Sequence, residues 1–150
     1  MDVGDLVDDF ALPDEQGETR TLSGLLANGP VVLFFYPAAF TPGCTAEACH
    51  FRDVASELRA LGAQPIGISG DEVSQQAAFS AKYSLGYPLL SDPEGKVRAL
   101  FGVKRDFGLT QTKRVTYVID TDRRVLEVIR SEIRMNVHAD KAIAALKTRA

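Results

Sequence analysis

The stretch V-V-L-F-F-Y-P-A-A-F-T-P-G-C-T-A-E-A-C, residues 31–49, carries the reading of the fold. Its first six residues are continuously apolar, β-branched or aromatic, which suits a central strand buried on both faces. Pro37 ends that strand, because proline has no N–H to give to a ladder. From Pro42 the period changes. Phe51, Val54, Leu58 and Leu61 recur at spacings of three and four, so one helix is expected over about residues 42–61, stopped by Gly62. Thr41 is placed to cap this helix. Pro42 opens it, at a position where a missing N–H costs nothing.

Working outward, a short extended pair is expected around Phe10–Leu12 and Thr19–Leu22, split by the turn signal D-E-Q-G at Asp14–Gly17. Beyond the long helix come a strand over residues 65–69, a helix over about 74–83, an extended piece over 87–90 and a helix over about 94–101. Val115–Asp120 and Val125–Arg130 read as a hairpin across T-D-R-R, and the last helix is expected over about residues 139–147. Strands alternating with helices, closed by a hairpin and a helix, predict an α/β sandwich with a mixed sheet.

The chain has 150 residues with no repeat or linker tract, and is read as one domain. With 45% hydrophobic and 25% charged residues it can bury a real core. Its formal charge of −3 argues against nucleic acid or an anionic membrane as the main partner, since both want a basic surface. The acidic start, M-D-V-G-D-L-V-D-D, does not fit a secretory signal, and the apolar run ending at Tyr36 is too short to span a bilayer. A cytoplasmic protein is expected, where thiols stay reduced.

That makes the two cysteines informative. A buried free cysteine is ordinarily a small hydrophobe, but Cys44 falls in the first turn of the expected helix. Unpaired N–H groups and the helix dipole favour an anion there, so a thiol should ionise more readily and become a nucleophile. At about 100° per residue, Cys44 and Glu47 fall within about 40° of Phe51, on the side facing the protein body. Cys49 falls about 160° from Phe51 and should lie outward or under a covering loop.

P-x-x-x-T-P-G-C with a second cysteine five residues on resembles the peroxiredoxins, specifically the PrxQ or bacterioferritin comigratory group. The resemblance extends through V-G-D-L-V-D-D-F-A-L-P-D, V-V-L-F-F-Y-P, G-I-S-G-D, Y-P-L-L-S-D and R-V-T-Y-V-I-D, essentially the whole chain. It implies a thioredoxin-like α/β fold with a mixed β-sheet flanked by helices. It also implies a peroxidase that uses no metal, flavin or haem and is recycled by thioredoxin or a similar dithiol. By the same resemblance Cys44 corresponds to the peroxidatic cysteine and Cys49 to the resolving one. Pro37, Thr41 and Arg114 match the family's active-site proline, threonine and arginine, and Glu47 the glutamate that supports the arginine. The Thr41 hydroxyl, the N–H groups near Gly43 and Cys44, and the Arg114 fork are then expected to donate to the peroxide oxygens. Cys49 would trap the Cys44 sulfenic acid as a disulfide. The partners implied are a hydroperoxide and a dithiol reductant, with no nucleic acid and no membrane insertion. The absence of a cysteine-bearing C-terminal extension points to a monomer.

Two other functions compete. A thiol–disulfide oxidoreductase would normally carry C-x-x-C, whereas the spacing here is C-x-x-x-x-C. A non-catalytic redox sensor or holdase would use the same cysteines without needing the donors around Cys44. His50 and His138 are the two histidines, and no zinc-ligand spacing joins them to the cysteines. His138 is expected near the start of the last helix. Lys104, Arg105, Lys113 and Arg114 against Asp106 make the segment before the hairpin basic. It is read as a solvated loop, or, with Phe107 and Leu109, as a rim for amphipathic or anionic hydroperoxides.

Overall fold

The computed structural model describes residues 1–104 and 112–149. The elements in chain order are β1 (Ala11–Pro13), β2 (Thr19–Thr21), α1 (Leu22–Leu26), β3 (Val31–Phe35), α2 (Pro42–Asp53), α3 (Ala55–Ala60) and β4 (Gln64–Ser69). They continue as α4 (Val73–Tyr83), β5 (Leu89–Ser91), α5 (Lys96–Phe101), β6 (Val115–Ile119), β7 (Val125–Arg130) and α6 (Met135–Lys147). Five strands form one mixed sheet in the order β5-β4-β3-β6-β7, while β1 and β2 pair separately. β3 runs parallel to β4 and antiparallel to β6.

The expected central strand is central, and all five residues of β3 are buried. Because side chains alternate along a strand, Val32 and Phe34 join one core and Val31, Leu33 and Phe35 the other. The first core lies under α2 and α6, the second under α1 and α5. Phe51 of α2 stacks on Phe34, with ring centroids 4.3 Å apart and planes 13° from parallel. Burying such a ring stabilises the fold by roughly 2–3 kcal/mol, and it fixes α2 over the end of β3.

Several boundaries differ from expectation. The helix expected over residues 42–61 breaks at Val54, with φ −101° and ψ 5°. The break hides from periodicity because the Leu58 N–H still bonds to the Val54 carbonyl and the apolar stripe persists across it. Leu22, expected at a strand end, instead opens α1, where the Thr21 hydroxyl oxygen accepts from the Gly24 N–H at 3.0 Å. α6 begins at Met135, four residues before Ala139. In its first turn the residue on the buried face is the polar His138, which makes that turn read as less apolar than the rest of the helix. Among the described residues, no helix is long and apolar enough to cross a membrane.

Candidate active site

β3 delivers the chain at Pro37 into a five-residue loop ending at Thr41, where α2 starts. Cys44 is the third residue of α2 and is 1% exposed; Cys49, farther along the same helix, is half-buried, and both are free thiols. Pro37 is half-buried at the head of the loop. The first backbone rung of the helix runs from the Thr45 N–H to the Thr41 carbonyl. The Gly43 and Cys44 N–H groups therefore precede the ladder, as the first donors of any helix do.

Thr41 occupies the cap position, but its side chain does not cap the helix. Its hydroxyl donates to the Ala38 carbonyl at 2.8 Å. The expected donor to a substrate is thus already committed, and the oxygen keeps lone pairs with which to accept.

Arg114 arrives from the far half of the chain. β6 pairs antiparallel with β3, setting Val115 opposite Phe35, so the residue before β6 reaches the end of β3 and the start of α2. The Arg114 Nη2 lies 3.3 Å from the Cys44 Sγ, and its Nη1 donates to the Glu47 Oε1 at 2.9 Å. Glu47 stands three residues after Cys44, one turn along the same face, and is fully buried. Gly43 makes room for this approach: a Cβ there would lie 3.3 Å from the Arg114 Nη2 and 3.6 Å from the Met135 sulfur. The Arg114 N–H also donates to the Glu132 Oε1.

Sequence reading missed what lies behind Glu47. His138 is buried, with Nε2 2.8 Å from the Ser131 carbonyl and Nδ1 2.8 Å from the Thr116 hydroxyl. A carbonyl only accepts, so Nε2 carries the proton and the Thr116 hydroxyl donates to Nδ1. The same Nε2 sits 3.6 Å from the Glu47 Oε2, which has no hydrogen-bond partner among the described residues. Burial holds the imidazole below its ordinary pKa and so favours the neutral form. The available signal was modest: Thr116 lies two residues after Arg114, so in extended chain the two point to the same side. Of the expected basic rim, Arg105, Phe107 and Leu109 lie outside the described residues, and Lys104 is exposed. His50 binds Asp140 of α6 at 3.0 Å.

The site thus sets a guanidinium, held in place by Glu47, beside a buried thiol. A sequence model of the AhpC/TSA family matches residues 3–128. A Mycobacterium tuberculosis protein named as a peroxiredoxin is 58% identical over 149 residues, covering 98% of this chain and 97% of its own. The chain is a peroxiredoxin of the AhpC/TSA family.

Solved peroxiredoxins share the architecture. The crystal structure of the M. tuberculosis peroxidoxin BcpB superposes with a TM-score of 0.96 at 57% identity, covering 100% of this chain and 99% of that one. A PrxQ variant of Xylella fastidiosa gives 0.90 at 27% identity, covering 98% and 96%. This peroxiredoxin is accordingly a thiol peroxidase on a thioredoxin-type fold.

The buried carboxyl of this peroxiredoxin makes its stability depend on pH. Burial pushes Glu47 up to about 8 from an ordinary value of 4.5, against the downward pull of Arg114. The folded state then binds this proton more tightly than the unfolded chain. The stabilisation from Glu47 is full below 4.5 and lost as pH rises through about 8. Thermal melts across that window should show a smaller decline for Glu47→Gln than for the wild type. Identical slopes would mean that Glu47 does not titrate there.

Proposed function

We propose that Cys44 reduces hydroperoxides directly and that Cys49 resolves the product within the same chain. The reading rests above all on the 3.3 Å approach of the Arg114 Nη2 to the Cys44 Sγ. In the first step the thiolate attacks one peroxide oxygen, the O–O bond breaks, and an alkoxide or hydroxide leaves to take a proton. The products are a sulfenic acid at Cys44 and an alcohol or water. Arg114 and the Gly43 and Cys44 N–H groups donate to the oxygens on which charge develops. Thr41 accepts from the peroxide O–H, since its own hydrogen is held by Ala38. Pro37 has no N–H to offer and shields one side of the sulfur. Glu47 holds the Arg114 fork in register.

In the second step the Cys49 thiol displaces water from the sulfenic acid, and a thioredoxin-type dithiol then reduces the disulfide by exchange. With both cysteines on one helix, a single chain suffices for the cycle. Steady-state turnover tests the reading. With thioredoxin as donor, the protein should consume hydrogen peroxide and an alkyl or fatty-acid hydroperoxide, and should not accelerate insulin reduction. Insulin reduction without peroxide turnover would favour a disulfide oxidoreductase instead.

Resolution requires α2 to unwind. Five residues of helix rise about 7.5 Å and turn about 140° from one another, giving a Cα separation of roughly 8.6 Å. A disulfide needs less than about 7 Å. Several contacts resist the unwinding. The Tyr87 hydroxyl donates to the Ala48 carbonyl at 2.6 Å, Arg52 donates to the Tyr83 carbonyl at 2.7 Å, and Phe51 stacks on Phe34. Attack and resolution therefore belong to two conformations, and the balance between them sets how long the sulfenic acid survives. Hydrogen exchange should show protection lost across about residues 43–52 in the disulfide form, with β3 and β6 little changed. Full protection in a protein shown to hold the Cys44–Cys49 bond would sink this step.

A further inference from the structure

The motif G-I-S-G-D at the end of β4 has no part in the chemistry above, yet its last residue touches the loop that presents Thr41. The Asp71 Oδ2 accepts from the Ala39 N–H at 2.8 Å and from the Ser69 hydroxyl at 2.7 Å. The Ala39 N–H belongs to the same peptide plane as the Ala38 carbonyl, and that carbonyl receives the Thr41 hydroxyl at 2.8 Å. The two ends of a trans amide point opposite ways. A carboxylate pinned to its N–H therefore fixes where its C=O points, and through it where the Thr41 hydrogen goes.

We infer that Asp71 is a positioning residue for peroxide reduction, which sets Thr41 as a hydrogen-bond acceptor by clamping the Ala38–Ala39 peptide. The inference rests on the proposed reading in which Thr41 faces the peroxide.

The clamp is itself anchored. The Ser69 hydroxyl accepts from the Gln76 amide at 3.0 Å, and the buried Gln76 also donates to the Leu90 carbonyl and accepts from the Tyr36 hydroxyl. Asp71 thus hangs from a chain of hydrogen bonds that ties together β4, β5, α4 and Tyr36 just after β3. The loop needs such an anchor. Phe40, directly before Thr41, has φ +67°, a left-handed conformation that an aromatic residue rarely adopts. Its ring is braced from α4 by Phe79, with centroids 5.2 Å apart, and by the Lys82 ammonium at 5.8 Å. Without the carboxylate, the Ala38–Ala39 peptide is free to rotate. A rotated peptide offers Thr41 an N–H in place of a C=O, and the hydroxyl then meets the incoming O–H with a hydrogen of its own.

One oxygen of Asp71 accepts both bonds, so an amide oxygen in the same place can do the same work. The test measures the second-order rate of hydrogen peroxide with reduced Cys44 and, on the same samples, its alkylation by iodoacetamide, which needs the sulfur but not a placed peroxide. Asp71→Ala should slow the peroxide reaction by about tenfold with alkylation changed less than about twofold. Asp71→Asn should recover to within about threefold of wild type. In a Thr41→Val background, Asp71→Ala should cause no further loss, because the clamp acts through that hydroxyl. If Asp71→Ala does not fold, Asp71→Ser, too short to reach Ala39, takes its place. Peroxide rates within twofold of wild type in the truncated variant, a parallel loss of alkylation, or losses that multiply in the double variant would each overturn the inference. A wild-type thiol that failed to react with peroxide would instead overturn the reading of Cys44 itself.

Discussion

Cys44→Ser is expected to abolish peroxide consumption, while Cys49→Ser is expected to keep one stoichiometric oxidation and lose cycling. The asymmetry follows from placement on α2. Of the two cysteines it is Cys44 that touches the Arg114 fork, and a serine hydroxyl at that point is far too weakly acidic to supply the anion. Cys49 stands five residues away, half-buried in the second half of the helix. Removing it leaves the first attack intact but leaves the sulfenic acid with no thiol in the chain to meet. Excess peroxide then drives Cys44 on to sulfinic acid. Stopped-flow peroxide loss and mass spectrometry of the trapped sulfur separate the two variants. A Cys44→Ser protein that still turned over with thioredoxin would remove the central assignment.

Arg114→Ala should slow the peroxide reaction by about 10²–10³-fold, the usual loss for a donor aimed at developing charge. Arg114→Lys should fall between the two. A lysine carries the charge, but its single ammonium cannot span the Cys44 sulfur and the Glu47 carboxylate as the planar fork does. Truncation also leaves Glu47 buried without its cation, which above about pH 8, where the carboxyl is ionised, costs about 3–5 kcal/mol. Below that pH the carboxyl, pushed up to about 8 by burial, already holds its proton and the loss is smaller. Melting curves recorded beside the rates distinguish the two effects. Folded Arg114→Ala reacting at the wild-type rate would deny the arginine its role.

The unit at the centre of the molecule was legible because it is local. Six apolar residues, a proline, and then an apolar stripe at helical spacing describe β3, its exit and α2 without reference to anything distant. The same wheel that put Cys44 and Glu47 on the inner face depends only on residues of one helix. Chain ends of elements were harder to read. The kink at Val54 leaves the stripe unbroken, and the buried residue in the first turn of α6 is a histidine.

What meets Cys44 is a different kind of information. Arg114 is 70 residues away along the chain, and its place follows from the antiparallel pairing of β6 with β3. From sequence, its role rested on resemblance to a family. His138 and Thr116 behind Glu47, Asp71 beneath Ala39, and the direction of the Thr41 hydroxyl were decided by tertiary structure. The physical reason is that periodicity records how each segment faces solvent or core, one turn or one pleat at a time. A buried polar group instead takes whatever partner the packed sheet and helices bring within about 3 Å. The strand, the helix start and the inward-facing thiol were therefore determined by the sequence itself. The hydrogen-bonded setting of that thiol was decided where β6, α6 and the end of β4 close around it.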